Sequence, residues 1–234
     1  MTYSFSENQN QILDAVLQHV PFEGWSEAAF RAGLRDLNLD LAAGQTAYPR
    51  GGIGLAVAFH RRSDAAMVEK FNALDVSNLR LRDKITTAVR TRLEAAENKE
   101  AVRRATTLFS LPMNSIEGAQ LIWDTCDRIW RMVGDTSNDI NWYSKRAILV
   151  GVYSSTLLYW LGDDSPDHSE TWRFLDRRID NVMQFEAVKA RVKKAPLMSS
   201  VLAGPNWLMS RIKAPRKKVF DDLPGHWSKD EASR

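Results

Sequence analysis

Apolar positions recur at helical spacing along almost the whole chain, and no long stretch alternates with the period of two that marks a strand. Ile12, Val16 and Val20 follow a Ser6–Gln9 capping box, so a helix opens at once, and Pro21 is expected to end it. Ser26 introduces a second helix burying Ala29, Phe30, Gly33, Leu34 and Leu37, and a short third follows over 40–47. The Pro-Gly-rich run 48–54 predicts a turn between helices, since proline lacks a donor and glycine is costly inside a helix. Leu81, Ile85, Val89 and Leu93 mark another helix, and Ala101, Ala105 and Leu108 the next. Ile122, Cys126, Ile129, Trp130 and Val133 share one face of a helix over 115–133 that Gly134 stops. A helix over 141–161 is apolar around most of its circumference, and Trp172, Leu175, Ile179, Val182 and Met183 give one more. The fold class is therefore all-α. The first three short helices form a helix-turn-helix-like head over 1–50, followed by a helical body over 51–192 and an appendage over 193–234.

Composition agrees with a folded body: 44% of the 234 residues are hydrophobic and 26% are charged. The run 147–161 is interrupted by Ser154, Ser155 and Thr156, too short for the roughly 20 apolar residues of a spanning helix, and reads as core. A net charge of +3 creates no field that implies nucleic acid. The third helix carries the acid Asp40, no base, and Gln45 as its one credible base reader, so DNA is not expected as a partner.

Catalytic chemistry is hard to find. His19, His60, His168 and His226 lie far apart without metal-ligand spacing, and the acidic cluster at 163–170 lacks the glycine and spacing of a calcium loop. Gly51-Gly52-Ile53-Gly54 follows no strand and precedes no Lys-Ser/Thr, so it matches no phosphate-binding fingerprint. The single Cys126 excludes an internal disulfide and reads as a small buried hydrophobe. No catalytic residue, metal or cofactor is expected. The opening residues resemble neither a secretory signal nor an Arg-rich transit peptide. A bacterial cytoplasmic location, peripheral at the inner membrane, or an already processed chain, is the expectation.

The appendage differs from the body. Leu197, Val201, Leu208 and Ile212 fall near one face with Met198, Leu202 and Met209 beside them, and Trp207 can sit at headgroup level. Arg211, Lys213, Arg216, Lys217 and Lys218 give it a basic border. Such a segment either lies in the interface of an anionic bilayer or packs on its own domain or a partner, and Gly204-Pro205 divides it in two.

The stretch 134–183, GDTSNDINWYSKRAILVGVYSSTLLYWLGDDSPDHSETWRFLDRRIDNVM, adds a specific signal. Its Asp-Thr-Ser-Asn-Asp turn, Asn-Trp-Tyr-x-Lys-Arg segment and Thr-Trp-x-Phe-Leu-x-x-Arg-Ile helix resemble a family of accessory proteins of ubiquinone (coenzyme Q) biosynthesis. The resemblance implies a TetR-like bundle, a homodimer formed through 149–160 and 172–183, an isoprenoid or quinone lipid in the helical body, and the di-iron demethoxyubiquinone hydroxylase as partner. It carries the partner-facing patch onto Asp139, Trp142, Tyr143 and Arg146, with Lys145 beside them, and suggests Ile122, Cys126, Ile129 and Trp130 as lipid-contacting residues. A membrane-binding C-terminal helix in the family corresponds to the appendage. The spacing from Asp139 puts the four patch residues on one helical face, while Trp142 and Tyr143 could equally cap the core. The rival function on the same fold is a TetR-type ligand-responsive repressor.

Overall fold

A computed structural model describes residues 5–194 apart from 97, with side chains through 182. Within these residues the chain runs α1 Glu7–Glu23, α2 Glu27–Asp36, α3 Leu41–Ala47, α4 Gly51–Asn72, α5 Leu81–Glu94, α6 Lys99–Ser110, α7 Ser115–Met132, α8 Ile140–Leu161 and α9 Ser169–Lys194, with one turn of 3-10 helix at Pro166–His168. Helix starts follow local chemistry. Ser6 and Gln9 form the reciprocal capping box, and Ser26, Asp40, Asn98 and Asp139 each accept a backbone N–H in the first turn of the helix they precede.

Two expectations are corrected. Pro21 does not end α1, which continues to Glu23 and closes at Gly24, where φ is +66°. Proline so near the end removes one backbone bond, and the missing donor is tolerated there. The glycines at 51–54 are not a turn between helices but the first turn of α4. Gly52 packs against the Trp25 carbonyl and the Ser26 nitrogen, an approach that no β-carbon would allow.

Packing produces two apolar clusters. The head cluster joins α1–α3 to the N-terminal half of α4 through Ile12, Val16, Phe30, Leu55 and Phe59, and extends to Ala101 of α6. The body cluster joins α4, α5, α7, α8 and α9 through Met67, Val89, Cys126, Ile129, Tyr153 and Leu175. Helix α4 thus threads both. Trp25 donates its indole N–H to the Ala101 carbonyl at 3.0 Å, and Arg104 donates to the Pro21 carbonyl at 3.0 Å, tying α6 to the head. None of the described helices is long and apolar enough to cross a membrane.

Candidate functional site

A cavity of about 340 Å³ lies among α4–α8. Its closed end is formed by the buried Phe59, Arg92, Leu93 and Tyr153, and its open end by the exposed Ser110, Ala119 and Leu158. Between them Val102, Ala105, Phe109, Ile122 and Leu157 make the wall predominantly apolar. That volume is at the lower end of the range for small-molecule pockets, about 300–1,000 Å³.

The closed end is polar in a controlled way. Asp64 of α4, with its side chain 1% exposed, accepts from Arg92 Nε at 2.7 Å and from the Thr125 hydroxyl at 2.9 Å. Arg92 also donates to the His60 carbonyl at 3.2 Å, and the His60 ring lies 2.9 Å from the Thr125 hydroxyl. Burial pushes the His60 pKa from 6.5 down to about 4, against the pull of Asp64, so the ring is neutral at pH 7. Burial likewise raises Tyr153 to about 12, keeping its hydroxyl protonated.

The neutral His60 has a stability consequence. Its unfolded-state value near 6.5 exceeds the folded one, so the unfolded chain takes up a proton first as the pH falls. Stability is complete above about 6.5 and is lost progressively toward about 4. The urea midpoint of the wild type is expected to fall across this window more steeply than that of His60→Gln, whose amide can still reach Thr125. Equal pH slopes for the two proteins would contradict the assignment.

A second site sits where α7 turns into α8. Asp135, with its side chain 3% exposed, accepts from the Ser137 hydroxyl at 2.8 Å, Lys145 Nζ at 2.8 Å and Arg146 Nη1 at 3.1 Å. Burial works to raise its pKa, but these donors prevail and hold it at about 2. Arg146 also donates to Asp127 at 2.7 Å and to the Trp142 carbonyl at 3.0 Å, with its guanidinium 3.9 Å from the centre of the Trp142 ring. Trp142 in turn contacts Tyr143 edge-on at 4.7 Å and Trp123 at 6.0 Å.

The patch drawn through Asp139, Trp142, Tyr143, Lys145 and Arg146 therefore divides. Asp139 is exposed and caps α8, Trp142 and Tyr143 are half-buried, and Lys145 is partly exposed while bridging to Asp135. Arg146 does not reach the surface as the helical register suggested. It is 1% exposed because Asp127 and Asp135 draw it inward, so it orients the Trp142 backbone from beneath. Of the four residues suggested for lipid contact, Ile122 lines the cavity, whereas Cys126, Ile129 and Trp130, further along the same face of α7, are buried in the body cluster. Burial pushes the Cys126 thiol strongly up, leaving it unreactive. The membrane-facing residues of the appendage, Leu197, Met198, Val201, Leu202, Trp207, Leu208, Arg211, Ile212 and Lys213, lie outside the described residues.

Sequence reasoning passed over most of the cavity, because its lining comes from five helices far apart in the chain. The polar residues beside its closed end, His60 and Asp64 four apart on α4 and Arg92 on α5, lie on helices that carry other charged residues as well and so did not stand out.

The COQ9 family model matches residues 116–186, which span α7, α8 and the first part of α9. The mitochondrial ubiquinone biosynthesis protein COQ9 of Rattus norvegicus is 33% identical over 196 residues, covering 79% of this chain and 62% of its own length. COQ9-A of Xenopus laevis is 34% identical over 186 residues (75% and 57%), and COQ9 of Homo sapiens 31% over 196 residues (79% and 60%). The chain thus spans about three fifths of the length of these relatives. A TetR transcriptional regulator from Nitrosomonas europaea has the same fold, with a TM-score of 0.63 at 15% identity, covering 75% of this chain and 97% of that one. The relatives also correct the expected location. Each of them is a mitochondrial protein, which points away from a bacterial cytoplasm and inner membrane. The chain is accordingly similar to the COQ9 proteins, through the family model over 116–186 and relatives at 31–34% identity, on a TetR-like all-α fold.

Proposed function

We propose that the chain is a non-catalytic accessory protein of ubiquinone biosynthesis that takes an isoprenoid or quinone lipid into the α4–α8 cavity and hands it to the demethoxyubiquinone hydroxylase. The observation that carries this reading is the cavity itself: a predominantly apolar space of about 340 Å³, lined at one end by the part-buried His60 and the buried Arg92 and at the other by exposed residues. Its open end would receive the lipid, with Phe109, Ile122 and Leu157 contacting the chain.

The Trp142–Tyr143 pair, presented by the buried Arg146, is the surface offered to the hydroxylase, since half-buried aromatic anchors held by a rigid support suit an interface. Pairing of two copies through α8 and α9 is supported by Tyr159, 39% exposed on α8 and stacked on Phe174 of α9 at 4.6 Å. The appendage would dock on the membrane through its apolar face and basic border.

The test is native mass spectrometry with lipid extraction on the purified full chain and on Ile122→Trp, whose larger side chain fills the cavity. Co-purified isoprenoid or quinone lipid in the wild type, absent from the variant, is the expected result. A lipid-free wild type that shifts DNA would overturn the reading and favour the repressor.

A further inference from the structure

The turn that joins α6 to α7 carries apolar side chains into solvent. Leu111 is 44% exposed, and Met113 and Ile116 are each 84% exposed. Scattered exposed hydrophobics are ordinary, but these three fall within six positions at one turn, with no charged residue from Ser110 to Ile116. Their exposure is held in place. The Asn114 side chain donates to the Leu108 carbonyl at 3.1 Å, its backbone N–H donates to the Leu111 carbonyl at 2.9 Å, and Ser115 donates to the Pro112 carbonyl at 2.9 Å. Helices α6 and α7 meet so closely beneath the turn that a β-carbon on Gly118 would lie 2.6 Å from Phe109 Cβ.

The same turn adjoins the cavity. The exposed Ser110 on one stem and Ala119 on the other line it, with the buried Gly118 beside them. The nearest acid, Glu117, is engaged by both Arg50 guanidinium nitrogens at 2.7 and 2.6 Å, so it presents little free negative charge to an anionic surface. A protruding three-residue tip falls well short of the roughly 800 Å² per partner of a stable protein interface, whereas it suits shallow insertion into lipid.

We propose that Leu111, Met113 and Ile116 insert into the membrane surface and seat the cavity mouth at the hydrocarbon boundary, so that an apolar ligand enters from the bilayer without crossing water. This contact is separate from the appendage, and its role in loading rests on the cavity taking lipid as proposed above.

The experiment uses the full chain with Met113→Cys carrying an environment-sensitive fluorophore, beside the same label at Asn72→Cys on the exposed far end of α4. Cys126 is fully buried and does not compete for the label. On mixing with phosphatidylcholine–phosphatidylglycerol vesicles, the label at 113 is expected to shift to the blue and be quenched by nitroxide lipid, while the label at 72 stays aqueous. Uptake of an isoprenoid quinone from the vesicles is expected to slow about tenfold or more in Met113→Asp/Ile116→Asp at unchanged melting temperature. A label at 113 that remains aqueous, whether or not the protein floats with the vesicles, would overturn the proposal, as would unchanged uptake by the double variant. A label that inserts in a protein that takes up no quinone would leave the contact standing and sink the lipid-carrier reading instead.

Discussion

Arg146→Ala is expected to destabilise the fold by about 3 kcal/mol or more, read as a lower urea midpoint and melting temperature. The guanidinium is 1% exposed and meets two carboxylates and a carbonyl at once: Asp127 at 2.7 Å, Asp135 at 3.1 Å and Trp142 at 3.0 Å. Removing it leaves two carboxylates largely out of water with one cation fewer, and breaking a buried ion pair by deleting one partner costs about 3–5 kcal/mol. Lys145 still reaches Asp135 and Arg131 still reaches Asp127 at 2.5 Å, which places the expected loss at the lower end of that range. Arg146→Lys should recover little, because a single ammonium cannot span the planar fork of acceptors. Were Arg146 a surface anchor for the hydroxylase, alanine would weaken binding and leave the midpoint unchanged. That outcome would refute the buried role assigned here.

The helices were legible wherever a cap and an apolar period coincided. Ser6, Ser26 and Asp40 set helix starts that the backbone realises, and the face through Ile122, Cys126 and Ile129 is the buried side of α7. Pro21 and the glycines at 51–54 misled because their local preference was overruled: by position near a helix end in one case, by close packing on Trp25 in the other. Arg146 misled for an electrostatic reason. Helical register places it with Trp142, but register does not reveal that Asp127 and Asp135 lie beneath it. The cavity was out of reach because periodicity says which residues face inward and not where facing helices fail to fill the space between them. Ile122 belongs to its wall and Ile129 to the solid core although both sit on one helix, and only the packing of α6 and α8 around α7 separates them.

The same limit applies to the polar closed end, where Asp64→Ala is expected to cost about 3–5 kcal/mol. Asp64 is the acceptor around which Arg92 and Thr125 are arranged, and Arg92 is 5% exposed with its Nε 2.7 Å from the carboxylate. Without Asp64 the Arg92 guanidinium keeps the His60 carbonyl but loses its anionic partner in a site shielded from water. The Thr125 hydroxyl suffers less, since the Leu121 carbonyl already lies 3.1 Å away as a second acceptor. The pair as a whole is a different matter. Replacing both members, Asp64→Leu with Arg92→Met, removes this desolvated pair together and is expected to return part of the lost stability, because a buried ion pair contributes little net against apolar residues of similar size, while Arg128, 3.6 Å from Asp64, still loses that carboxylate. Urea unfolding of the single and double variants tests this directly. A double variant no more stable than Asp64→Ala would mean that the polar end is needed to shape the fold. Recovery would instead mean that the buried charges are not what holds these helices together.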